Sequence, residues 1–458
     1  MPLAYNPFSG EVLYTTAFES KEKLAERLAQ AETGYQIWKN VSLTNKKDCF
    51  KRLSLLMEDQ KKTLATQITL EMGKPILESI GEIEKCISTI QWYIDHIEEL
   101  IHQHAISFED KNVQSFVRFE PIGTVLGIMP WNFPFWQVFR YAIPTLFMGN
   151  TTILKHAPNV QNCANSMDAL FQSAGFPTGV FQNCFAAVED TEFLISSKTI
   201  KAITLTGSEK AGKSVAAIAG KYIKKCVLEL GGSDPFIVMP DAPIINTVQE
   251  AIKGRLQNNG QSCIAAKRFI IHVDCYDAFL KELAIQIEKL QIGNPMVPQT
   301  KLGPLARMDL KDSLAMQVSQ SIAAGASMYY KHSFDDSHST FFSPVILENI
   351  PLGAPARFQE LFGPVFSCYK FSSMEEAVAL SNETDFGLGA SIWTSNIEAG
   401  INLAQKIDSG AVFINDITRS DVRVPFGGIK HSGYGRELSS FALLEFTNIK
   451  TYWTNSKQ

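Results

Sequence analysis

The chain lacks any uninterrupted apolar run approaching the roughly 20 residues needed to cross a bilayer. Residues 1–14 (MPLAYNPFSGEVLY) show no basic segment followed by an apolar one. Neither insertion nor export is expected, and the expected location is the cytoplasm. Positive charge is not in excess either: 42 Lys and Arg stand against 47 Asp and Glu, a formal net charge of -5. Such a balance exerts no general pull on phosphate backbones or anionic lipid, and no basic stripe with interleaved aromatics is present. Nucleic acid and membranes are therefore not expected partners. The eight cysteines (49, 86, 163, 184, 226, 263, 275, 368) are scattered, with no C-x-x-C and no Cys/His spacing suited to a metal. Mostly free thiols in a reducing compartment are expected. The usual dinucleotide fingerprint, G-x-G-x-x-G, is also missing.

What remains is the composition of a folded globular protein: 458 residues, 45% apolar and 19% charged, with 29 Gly and 20 Pro dispersed along the chain. This length suits two large domains or about three ordinary ones. The first hundred residues read as helical. Ile76, Ile80, Ile83, Ile87, Ile90 and Ile94 recur at helical spacing, and residues 45–72 form a second periodic segment that should stop at Gly73. Beyond Phe116, short apolar runs at 124–128, 151–154, 202–205 and 226–230 alternate with helical stretches. A second alternating set spans 268–415, including 268–273, 366–371 and 410–414. This pattern predicts an α/β chain with two parallel, doubly wound domains joined near Gly231-Gly232.

Four groups of residues carry chemical potential. Gln257-Asn258-Asn259-Gly260-Gln261-Ser262 leads into Cys263, with Lys267 and Arg268 following. A cysteine on a turn, among backbone N–H groups and near cations, suits a nucleophilic thiolate, although the same pattern also suits a structural cysteine. Glu229 lies among apolar neighbours at a strand end before a glycine pair. Enclosure there would raise its pKa and fit it to take a proton from water; an outward-pointing strand-end glutamate is the simpler alternative. Asn132, in Pro130-Trp131-Asn132-Phe133-Pro134, can donate to an oxyanion while Trp131 covers a planar ligand. Gly207-Ser208 opens a helix, where backbone N–H groups favour phosphate.

Seven segments in order make the chain resemble the aldehyde dehydrogenase superfamily from end to end: PWNFP at 130–134, Lys155, LTGS at 205–208, LELGG at 228–232, GQSC at 260–263, QELFGP at 359–364 and PFGGIKHSGYGRE at 425–437. The resemblance implies a Rossmann-like NAD(P)-binding domain (1–103 and 122–230), an α/β catalytic domain (231–435), and a small oligomerisation β-flap with tail (104–121 and 436–458). A homodimer or homotetramer would follow. It also implies Cys263 as nucleophile, Asn132 and the Cys263 N–H as oxyanion donors, and Glu229 as the base that hydrolyses the thioester. Trp131, Lys155, Pro158, Gly207, Ser208, Leu230, Glu360 and Phe362 would bind the cofactor, and no metal would be required. Relatives that transfer the acyl group to coenzyme A typically lack the glutamate, so Glu229 favours release of a free carboxylic acid.

Arg140 departs from relatives that oxidise simple aldehydes, which usually carry an apolar aromatic residue there. With Ser420 and Arg423 it resembles the carboxylate-binding set of succinate semialdehyde dehydrogenases, and KHAP at 155–158 is similar to their short bacterial branch. A small anionic aldehyde, succinic semialdehyde foremost, is the expected substrate. An internal ion pair is the alternative for Arg140. Glutarate semialdehyde or a broad aliphatic range stays open, whereas an aminoaldehyde would meet a like charge. A non-catalytic protein on the same fold is the remote alternative. Pro158 neither repels nor binds a 2′-phosphate, so both NAD and NADP are expected to serve.

Overall fold

The computed structural model describes residues 3–101, 105–106, 112–337 and 339–456. The flap segment 104–121 lies partly outside these residues. Four sheets organise the described chain. A six-stranded sheet has the order Gly433–Tyr434, Lys225–Glu229, Ile200–Thr206, Thr124–Met129, Thr151–His156, Phe181–Asn183. Of its five adjacent strand pairs the first is antiparallel and the other four are parallel. Helices cover both faces, which is why Thr151–His156 is buried at every position, its polar Thr151, Thr152, Lys155 and His156 included, with no alternation of buried and exposed residues.

A seven-stranded sheet follows in the order Ser327–Lys331, Val345–Glu348, Val365–Phe371, Ala266–His272, Asp234–Val238, Gly389–Trp393, Ala411–Ile414. Gly231-Gly232 falls between the last parallel strand of one sheet and Asp234, the first residue of the other. Phe236, Phe269, Phe366 and Trp393 stack through its core. A third sheet pairs Val113–Pro121 antiparallel with Thr447–Asn455, and a fourth joins Leu3–Tyr5 to Val12–Thr15.

Two local differences from the sequence reading have clear causes. The segment 45–72 is not one helix: it breaks at Gln60 (φ -96, ψ 7) into Leu43–Asp59 and Lys61–Met72. The bend lets Phe50 and Leu53 of the first piece and Leu64, Ile68 and Met72 of the second reach the same core. The second piece ends at Gly73 in the left-handed conformation (φ 78). Gly433–Tyr434, grouped by sequence with the catalytic domain, instead extends the six-stranded sheet beside Leu228 and Glu229. A Cβ on Gly433 would run into the Leu228 carbonyl, so only glycine permits this return.

The long helix Ile76–Leu100 packs its apolar face into the core through Ile83, Ile90, Ile94 and Ile97. Beside that face, Glu82 accepts hydrogen bonds from the N–H groups of Phe135 (2.9 Å) and Trp136 (3.0 Å) and pairs with Lys74. It thus anchors the start of helix Trp136–Phe147, which carries Gln137 and Arg140.

Candidate active site

Cys263 is set by a loop between helix Ile244–Leu256 and strand Ala266–His272. Three successive residues, Asn258 (φ 56), Asn259 (φ 58) and Gly260 (φ 76), take left-handed conformations that turn the chain sharply. Asparagine tolerates this geometry better than most residues, and both side chains stabilise the turn. Asn259 Nδ2 donates to the Gly73 (2.8 Å) and Pro304 (2.9 Å) carbonyls while Oδ1 accepts from Gly303 N–H (2.7 Å). Asn258 Nδ2 donates to the Asn132 (2.6 Å) and Gln261 (3.0 Å) carbonyls. Beneath the turn, fully buried Arg255 donates to the carbonyls of Gly260, Leu361 and Val365, tying the cysteine loop to the segment that carries Glu360 and Phe362.

Two cavities meet at this cysteine. One, of about 270 Å³, is lined by Lys85, Trp136, Arg140, Ser420 and Phe426 together with Cys263; the other, of about 240 Å³, by Trp131, Asn132, Gly207, Ser208, Leu230, Glu360 and Phe362, again with Cys263. Gln137 borders both. In the second cavity Trp131 and Phe362 meet edge to face at 5.9 Å. Glu360 pairs with buried Lys267 (3.1 Å) and accepts from Gly232 N–H (3.2 Å). Ser208 caps the 13-residue helix Glu209–Lys221, accepting from Ala211 N–H. A carboxylate for ribose hydroxyls, aromatic edges for a planar ring and a helix N-terminus for phosphate make this second cavity fit a nicotinamide dinucleotide. A Cβ on Gly231 would collide with the Glu360 carboxylate, so the cradle also depends on a missing side chain.

The polar groups near the sulfur are held in defined roles. Asn132 Nδ2 donates to the Gln261 carbonyl (3.0 Å), and Gln137 Nε2 donates to Asn132 Oδ1 (3.0 Å), so the amide is oriented from both sides. Its second N–H remains available for a ligand. Lys267 donates to the Ser262 (2.9 Å) and Cys263 (2.8 Å) carbonyls. The expectation that nearby cations keep the thiol readily ionised is corrected: burial pushes the Cys263 thiol up to about 12, outweighing the opposing pull of Arg140 and Lys267. Glu229 is buried against Gly427 and lines neither cavity. Burial lifts its pKa well above the usual carboxylate range, opposed by Arg140 and aided by Glu437.

Arg140 lines the first cavity and is ion-paired with buried Glu437, the internal pair that the sequence offered as the alternative. Its guanidinium donates to Thr206 Oγ1 (3.1 Å) and lies 4.7 Å from the Phe426 ring centre. Ser420 faces the same cavity and accepts a hydrogen bond from Lys85 Nζ at 2.7 Å. Arg423 does not reach it: its side chain is 72% exposed and clasped by Asp421 through two bonds, and solvation plus that local pair hold it outside. Lys155, at the end of its strand, and Pro158, which opens a short 3₁₀ turn, line neither cavity.

Lys85, Gln137 and Glu437 were not singled out from the sequence, and Lys267 was read only as a cation following Cys263. One signal was available for the first: Glu78, Glu82 and Lys85 recur at i, i+4 and i+7 beside the apolar stripe of their helix. Gln137 meets Asn132 five residues back, whereas Glu437 reaches Arg140 from a distant part of the chain.

The aldehyde dehydrogenase family model matches residues 3–452. A probable succinate-semialdehyde dehydrogenase [NADP(+)] from Synechocystis sp. is 42% identical over 448 residues, covering 98% of each chain. Succinate-semialdehyde dehydrogenase [NADP(+)] 1 from Mycobacterium ulcerans is 41% identical, over 99% of this chain and 100% of the relative. The crystal structure of succinic semialdehyde dehydrogenase from Streptococcus pyogenes in complex with NADP+ superposes with a TM-score of 0.96 at 34% identity, covering 99% of both chains. With a thiol at the meeting point of two cavities and similarity that runs the length of the chain, this protein belongs to the aldehyde dehydrogenase family.

Proposed function

We propose that the chain oxidises succinic semialdehyde to succinate with a nicotinamide dinucleotide. The observation that carries this reading is the position of Cys263 at the junction of a cavity suited to the dinucleotide and a cavity lined by cations. The names of the relatives support the same aldehyde.

In this reading Cys263 gives its proton to cavity water as its sulfur bonds to the aldehyde carbon. The carbonyl oxygen becomes an oxyanion held by Asn132 Nδ2 and the Cys263 N–H. A nicotinamide dinucleotide held in the second cavity would supply the two-electron hydride acceptor that converts this adduct to a thioester on Cys263. Glu229 then accepts a proton from water as that water attacks the acyl carbon; the C–S bond breaks and the acid departs. Because Glu229 lines neither cavity at rest, its carboxylate must swing toward the sulfur for this step. Glu360 would hold the nicotinamide ribose, with Phe362, Trp131 and Leu230 against the ring and Gly207 and Ser208 at the phosphates. Arg140 and Ser420 would face the substrate carboxylate.

Lys155 and Pro158 would meet the adenosine ribose. Position 158 offers no carboxylate to repel a 2′-phosphate, and the relatives are named for NADP, so NADP should serve at least as well as NAD. Assembly into a homo-oligomer through strand Thr447–Asn455, an edge of its sheet with Ile449 exposed, completes the proposal. We also propose a cytoplasmic location, a compartment in which the eight free cysteines would stay reduced. The test is product analysis: succinic semialdehyde plus NADP should yield NADPH and free succinate in equal amounts. Failure to form NADPH would overturn the assignment.

A further inference from the structure

Most cations around the substrate cavity are already committed. Lys74 is paired with Glu82, Arg140 with Glu437, and Arg419 with Asp416. Lys85 differs: among the described residues no carboxylate lies within ion-pairing distance of its Nζ. The ammonium donates to Ser420 Oγ at 2.7 Å and sits 4.2 Å from the Trp136 ring centre, which fixes its direction without cancelling its charge. Receiving that bond leaves the Ser420 O–H able to donate elsewhere.

We infer that Lys85 is a specificity-determining residue that, together with the Ser420 hydroxyl and the facing Arg140, binds the terminal carboxylate of the aldehyde substrate. This deepens the proposed oxidation of succinic semialdehyde and depends on it. The chemical selection is for a monoanion: an uncharged aldehyde leaves the ammonium unpaired, and a cationic one meets two positive groups.

The resting electrostatics agree with this role. Burial lowers the Lys85 pKa to about 8, with Arg140 on the neighbouring helix acting in the same direction. Glu82 and Cys86 on its own helix and Asp421 on the loop after Ser420 act against it. A bound carboxylate favours the charged form, so binding takes up a proton above that pH. The KM for the anionic aldehyde should therefore rise as pH passes about 8, while an uncharged aldehyde is indifferent to this ionisation.

The test compares KM for succinic semialdehyde and for butanal, which matches its chain length without the carboxylate. Wild type, Lys85→Met and Lys85→Arg are measured across the pH range on either side of this ionisation. Lys85→Met should raise the ratio of anionic to neutral KM by about ten- to a hundredfold. Lys85→Arg should keep the ratio low and carry it unchanged past the pH at which wild type loses it. The pH dependence of wild type alone tests the idea without any substitution: a ratio that stays flat overturns it. A wild-type preference for the anion that Lys85→Met leaves intact overturns the role of Lys85 alone. No wild-type preference for the anion overturns the reading of the substrate cavity as well.

Discussion

The two cavities that share Cys263 are built in opposite ways. On the dinucleotide side the recognition elements are short contiguous runs at strand ends: Trp131-Asn132, Gly207-Ser208, Leu230-Gly231 and Glu360 to Phe362. Its carboxylate, Glu360, is neutralised by a lysine that also supports the cysteine loop. The substrate side draws its polar groups from helix Ile76–Leu100, helix Trp136–Phe147 and the loop around Ser420, which are far apart in sequence. There the charges are mostly paired internally and one lysine is left over. The lining of the second cavity comes from runs of neighbouring residues, and that of the first from side chains on separate elements.

Substitutions should separate these two modes. The largest effect is expected at the shared point: Cys263→Ala should lower kcat/KM for every aldehyde on the order of 10⁴-fold or more, with dinucleotide binding retained when titrated by fluorescence. Next, Glu229→Gln should reduce kcat by about 10²- to 10⁴-fold while leaving a rapid burst of NADPH, because only hydrolysis of the thioester is blocked. A burst lost along with turnover would place Glu229 earlier in the reaction. In wild type the raised Glu229 pKa means that the base form accumulates only above the usual carboxylate range, so kcat should climb with pH and the slope should vanish in the variant.

Smaller effects test the substrate side. Ser420→Ala removes one donor and should raise the KM for succinic semialdehyde about five- to tenfold relative to butanal. Arg423→Ala, which removes a side chain exposed and held by Asp421, should change either KM by less than about twofold. A large effect at Arg423 would mean that its loop closes over the bound substrate.

This contrast also explains what could be read from sequence. The parallel strands were legible because fully buried strands produce short apolar runs bounded by glycine and proline, and the cysteine loop was legible because its special residues are adjacent. The left-handed pair Asn258-Asn259 was visible as polar residues, but the Arg255 that fastens the turn to the Glu360 segment was not: its acceptors there, Leu361 and Val365, lie more than a hundred residues away. Arg423 is the reverse case. It sits near a motif in sequence, yet its guanidinium is satisfied two residues back at Asp421. Proximity along the chain informs about a backbone-built site and misleads about one assembled from side chains. The break at Gln60 was missed for a related reason, since both halves of 45–72 share helical periodicity and only the core they jointly fill requires the bend.

The most direct measurement is the ratio of wild-type kcat/KM for succinic semialdehyde to that for butanal, at neutral pH and with NADP saturating. A cation-lined cavity selecting a terminal carboxylate predicts a ratio of about a hundred or more, equivalent to about 2.7 kcal/mol of transition-state discrimination. A ratio of one or less would contradict the assignment of the first cavity to an anionic aldehyde.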